Sequence, residues 1–203
     1  MTTATDIRRL VEIPVDAPVW DRFFCVAPLV LIGTRNADGG VDLAPKHMVT
    51  PLGWQNYFAF VCSPSHSTCK NIRRTGEFTV SYPKPDQLLY TALAASPREA
   101  TGEKPVLDFF STFPATQIDA DFIDEAYLYF ECRLLKEVGG FGENCLLAGE
   151  IIAARSDPEY LRSREIDDQE LIHEAPLFAY LAPGRFAEIE DSAAFPFPAN
   201  MKK

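Results

Sequence analysis

Two runs in the second half of the chain constrain it most: AYLYFECRLLKEV (126–138) and NCLLAGEIIAARSD (144–157). Both read as long strands, and only GGFGE (139–143) joins them. A connection that short makes a hairpin, with Gly139, Gly140 and Gly142 as its turn residues. The glycines do not have the spacing of a dinucleotide-binding fingerprint, and a strand rather than a helix follows them.

The rest of the chain repeats the pattern with shorter pieces. PLVLIGTRN (28–36) is an apolar, β-branched run ended by the turn Asp38-Gly39-Gly40, and YFAFVCS (57–63) and EFTVSY (77–82) are further strands. Between them lies VDLAPKHMVTPLG (41–53), where Pro45 and Pro51 predict a bulged, edge-like or partly unpaired strand. Helical spacing is confined to a short segment after Ser67, to PDQLLYTALAAS (85–96) and to VLDFFSTF (106–113). SPREATGEKP (96–105) reads as a surface loop and PEYLRSREIDDQELI (158–172) as a charged, mostly surface stretch. PLFAYLAPGRFAEI (176–189) is the last ordered element expected, and the proline-rich apolar tail AAFPFPANMKK (193–203) suits a position over another surface or chain. Strands outnumber helices and their connections are mostly short. The expected fold is therefore mainly β: an antiparallel β-barrel with peripheral helices. A chain of 203 residues suits one domain, spanning 1–203 with a core at about 20–190 and a tail at 191–203.

Composition excludes several function classes. The net charge of −10 gives no general attraction for nucleic acid or for anionic membranes. No apolar run approaches the roughly 18 residues of a membrane helix, and MTTATDIRRLVEIPVD shows no signal-peptide pattern, so a cytoplasmic location is expected. The five cysteines form no CxxC, and His47, His66 and His173 are widely spaced, so no metal site is expected. Cys62 and Cys132, in apolar strands, read as core. His173 reads as a surface residue beside Glu170 and Glu174.

SPSHSTCKNIRRTGEF (63–78) carries the chemistry. Ser65, Ser67 and Thr68 stand directly before or at the start of a short helix, with His66 among them and Lys70, Arg73 and Arg74 inside it. The first N–H groups of a helix have no internal partner and carry partial positive charge, which suits a phosphate. Plain N-capping by Ser67 or Thr68 is the competing reading. Capping needs one hydroxyl, whereas three and a histidine occur within four residues.

Four segments in order resemble the flavin reductase-like family with its FMN-binding split β-barrel, from about Pro28 to Ile189. They are PLVLIGTRNADGGVDLAPKHMVTPL, FAFVCSPSHSTCKNIRRTGEFTVSY, the LAGEII strand and PLFAYLAPGRFAEI. The resemblance implies that the loop and helix start at Ser65–Thr68 hold the FMN phosphate and that Lys46, His47, Met48, Val49 and Thr50 run along the flavin ring. It extends the cofactor-binding set to Cys62, Ser63, His66, Lys70 and Asn71. It also implies a homodimer, FMN (or FAD) as cofactor, NAD(P)H as reductant and a possible oxygenase partner. The implied activity is that of a flavin reductase or reductase component, with a non-enzymatic FMN-binding electron carrier as the alternative. The chain departs from the family pattern at Asp42, His47, Thr50, Ser81 and Phe186.

Overall fold

The computed structural model describes residues 10–99, 102–163 and 165–198. Its strands are β1 (Cys25–Pro28), β2 (Val30–Arg35), β3 (Val41–Lys46), β4 (Val49–Pro51), β5 (Tyr57–Cys62), β6 (Glu77–Tyr82), β7 (Thr112–Pro114), β8 (Asp121–Ile123), β9 (Leu128–Phe141), β10 (Asn144–Ser156), β11 (Leu177–Ala182) and β12 (Arg185–Ile189). Among the described residues three α-helices accompany them: α1 (Ser67–Thr75), α2 (Leu88–Leu93) and α3 (Asp168–Glu174).

Seven strands form one antiparallel sheet in the order β3-β2-β6-β9-β10-β5-β4. Its hydrophobic core shows that the sheet curls. Val30 and Ile32 of β2 share one buried cluster with Val49 of β4, although β2 and β4 lie near opposite ends of the sheet. Phe58, Phe60, Phe78 and Leu147 fill the space between, and Cys69 and Ile72 of α1, three residues apart on one helical face, close it. The alternation of strand side chains gives the outer face its own cluster, where Leu31 packs with Leu43, Phe110 and Ile123. Gly33 permits the closest approach: a Cβ there would stand 2.2 Å from both the Asp121 carbonyl oxygen and Thr79 Oγ1. A second sheet, β1-β11-β12, and the pair β7-β8 complete the β-structure.

The mainly β expectation holds, with local corrections. Pro28 belongs to β1, which pairs with β11 rather than extending β2. Gly139 and Gly140 lie inside β9, so the hairpin turn is shorter than GGFGE. VLDFFSTF is one 3-10 turn followed by β7, not a helix, because its end pairs as a strand: Phe113 packs against Phe122 of β8 with ring centroids 5.2 Å apart. The charged stretch after Pro158 contains α3, started by the Asp167 carboxylate accepting from the Gln169 N–H at 2.9 Å. PLFAYLAPGRFAEI is a two-stranded hairpin, not one element. His173 is exposed, and Cys62 and Cys132 are buried in the core. The tail is exposed through residue 198, and its last five residues, like the first nine of the chain, lie outside the described residues.

Candidate functional site

Strand β5 ends at Cys62, and the chain turns through Ser63–His66 into α1. His66 is the N-cap residue with extended backbone, and its side chain makes no capping hydrogen bond. The hydroxyls are engaged elsewhere. Ser65 Oγ pairs with Ser63 Oγ at 2.8 Å, Ser67 Oγ accepts from Arg98 Nε at 2.8 Å, and Thr68 Oγ1 donates to Asp42 Oδ2 at 3.3 Å. N-capping therefore does not account for them.

This helix start opens into a cavity of about 550 Å³. Its walls come from three directions: Asp42 to Lys46 of β3, Ser65 to Thr68, and the loop after α2 with Ala94 to Arg98 and Lys104. Arg98 organises it. One Nη donates to Asp42 Oδ1 at 2.5 Å and to Asn36 Oδ1 at 3.2 Å, and the other donates to the Gly102 carbonyl at 2.7 Å. Lys104 Nζ donates to the Leu43 and Ala94 carbonyls at 3.0 and 2.5 Å.

The electrostatics favour an anion. Lys46, Arg98 and Lys104 surround a single lining carboxylate, Asp42. Burial pushes the Lys104 ammonium below its ordinary value; Asp42 opposes this, and Arg98 and Lys46 add to it. Burial likewise lowers His66, with Lys46 adding to the shift and Asp42 opposing it. Positive charge is in excess, and a phosphomonoester carries about −1.5 to −2 at neutral pH. The donor set at an uncapped helix start fits such a group.

A second cavity of about 370 Å³ adjoins the first, sharing Pro45 and Ala95. It is lined by His47, Phe178, Tyr180 and Phe186, among others. The His47 and Tyr180 rings lie 4.9 Å apart. Burial, then the Lys46 charge, lowers the His47 pKa and favours a neutral imidazole against the apolar wall. Thr91 Oγ1, on the same wall, is buried without a hydrogen-bond partner among the described residues.

Lys46, Ser65, His66, Ser67 and Thr68 thus line the first cavity, and His47 lines the second. Other expected residues lie apart. Val49 and Cys62 are in the hydrophobic core; Met48 and Thr50 are exposed; Ser63 supports Ser65; Lys70 is exposed on the helix. Asn71 is buried and donates to Thr34 Oγ1 and Asn36 Oδ1, each at 3.0 Å, tying α1 to β2. Arg73 and Arg74 serve the other end of the helix, bonding Glu137 and the Arg35 carbonyl. Sequence reasoning missed Arg98 and Lys104, which sit in the segment read as a surface loop. Two cations in a long connection next to a short helix were the available signal.

The curled antiparallel sheet with its few helices is that of a split barrel. The sequence matches the flavin reductase like domain over residues 22–175, and the chain belongs to that family. Solved structures share the fold. Nitrilotriacetate monooxygenase component B from Bacillus cereus superposes with a TM-score of 0.78 at 14% identity, covering 93% of this chain and 100% of that one. Flavoredoxin from Methanosarcina acetivorans gives 0.75 at 21% identity, covering 95% and 97%. The 2-nitrobenzoate 2-nitroreductase of Pseudomonas fluorescens gives 0.73 at 20%, covering 87% of each chain.

Proposed function

We propose that the protein binds FMN and works as an NAD(P)H-dependent oxidoreductase, delivering electrons to free flavin, an oxygenase partner or another acceptor. Family membership supports a flavin cofactor and an oxidoreductase activity. The observation that carries the FMN reading is the cation-rich cavity at the uncapped start of α1, joined to an apolar cavity at Pro45 and Ala95.

In this reading Arg98, Lys104, Ser65, Ser67 and the backbone at the start of α1 hold the phosphate. Asp42 and Thr68 hold Arg98 in place. Lys46 places positive charge beside the ring, and His47 forms its flank. When bound, the flavin supplies the hydride and electron chemistry, while the protein orients it and excludes water. That division of labour requires no acid–base pair from the chain. The exposed Met48 and Trp54 suit burial in a homodimer contact. No described helix is long and apolar enough to cross a membrane, and a cytoplasmic location completes the reading.

The test is the absorbance spectrum of the purified protein, then anaerobic stopped-flow mixing with NADH and NADPH. A flavin spectrum bleached rapidly by either nucleotide is expected. A persistent yellow colour would turn the reading to an electron carrier reduced by a partner. Colourless protein that takes up no added FMN would refute both.

A further inference from the structure

Beneath α1, outside the lining of the phosphate cavity, two thiols meet. Cys69 lies in the first turn of the helix and Cys145 at the start of β10; they are 0% and 1% exposed, and their Sγ atoms stand 3.7 Å apart. Glu137 of the neighbouring strand β9 brings a carboxylate oxygen to the same place. The three donor atoms lie within 4.8 Å of one another. None of the three residues lines either cavity of the flavin site.

We propose that Cys69, Cys145 and Glu137 form a site for a thiophilic divalent cation, with Zn²⁺ the best match. Two sulfurs, each about 2.3 Å from one tetrahedral zinc ion, stand about 3.8 Å apart, so the thiols are already at coordination distance. A disulfide would require the same sulfurs to close to about 2.05 Å. The carboxylate is held in place: Arg73 Nε and Nη2 donate to its two oxygens at 2.9 and 2.5 Å, the outer-shell support that metal-bound carboxylates commonly have.

The charges also balance. Binding expels the two thiol protons, leaving two thiolates and one carboxylate against a divalent cation and the Arg73 guanidinium. The cluster is neutral before and after loading, so no uncompensated charge is left on the two buried sulfurs. The fourth position falls to water from the side of Glu137, whose side chain is 27% exposed. The loaded site fastens α1 to the β9–β10 hairpin, so its effect is on the stability of the helix that carries the phosphate site.

The test is an anaerobic titration of the reduced full chain with Co²⁺. Tetrahedral cobalt with thiolate ligands absorbs in the red, where oxidised flavin does not. One equivalent should bind, and Zn²⁺ should displace it. Cys145→Ser, which leaves one thiolate, should weaken the red bands and the affinity for cobalt. Arg73→Met, an exposed change that leaves the core intact, should weaken binding about ten- to a hundredfold. Glu137→Gln should weaken it as well, and Cys25→Ser, remote and exposed, should leave it unchanged. Absence of tetrahedral bands in the reduced wild-type chain overturns the site, as do bands unchanged by both Cys145→Ser and Glu137→Gln.

Discussion

The two ends of α1 are opposites. At the C-terminal end Gly76 adopts a left-handed conformation at φ +75° and its N–H bonds the Ile72 carbonyl at 2.7 Å. Arg73 pairs with Glu137, and Arg74 donates to the Arg35 carbonyl. The end is closed by groups close in sequence or across one strand. At the N-terminal end the N-cap residue His66 makes no capping bond, and the surrounding cations come from β3 and from the loop that follows α2. A helix end that the fold itself satisfies is structural, whereas one left uncapped and ringed with charge is suited to a ligand.

Arg98→Ala should have the largest effect. It removes the cation from buried Asp42, costing about 3 kcal/mol of stability, and weakens FMN binding a hundredfold or more. Asp42→Asn in the same chain should restore most of the stability and none of the affinity. Chemical denaturation and fluorescence titration separate the two. If FMN affinity survives Arg98→Ala, the contrast between the ends collapses.

Gly76→Ala tests the closed end. A Cβ there meets nothing within 4 Å, so only the left-handed backbone is strained, at about 1–2 kcal/mol. A lower urea midpoint with unchanged FMN affinity is expected. Thr68→Val is a smaller change at the open end. It removes the donor to Asp42, and FMN should bind about tenfold more weakly. Riboflavin, which lacks the phosphate, should be unaffected; equal weakening of both would mean general damage to the pocket.

Acidification sharpens the contrast further. His47 and His66 are both held below their ordinary pKa, by burial first and then by Lys46. The unfolded chain therefore takes up these protons before the folded one. Their contribution to apoprotein stability is complete above about pH 6.5 and declines below it. Bound phosphate raises His66 again, so the loaded protein should lose less. Urea midpoints at pH 7 and 5.5, compared with His66→Asn, measure this share. The smallest effect belongs to Arg73→Met without metal: FMN affinity should not change, because the side chain is exposed and lies about 9 Å along the helix axis from Ser67.

The strands were legible because each announces itself locally. EFTVSY and YFAFVC carry β-branched and aromatic side chains between turn residues, and they became β6 and β5. VLDFFSTF was not legible as a strand, because a short apolar run has no period that separates helix from strand, and its state follows from pairing with β8. At the site, the sequence by itself determined the hydroxyl-rich start of α1, since these residues are adjacent; that no hydroxyl caps it came from the structure. It did not show which cations surround that helix start. Arg73 and Arg74, near in sequence, turn to the far end of the helix, while Arg98, some thirty positions away, supplies the cation. Asp42, read from sequence only as a departure from the family pattern, is the buried partner of that arginine. The thiols of Cys69 and Cys145 meet for the same reason, since no spacing rule connects a helix turn to a strand start. Local backbone preference acts over a few residues and can be read from the chain. Which distant charges and thiols share a cavity depends on how the sheet curls, and only the tertiary structure decides that.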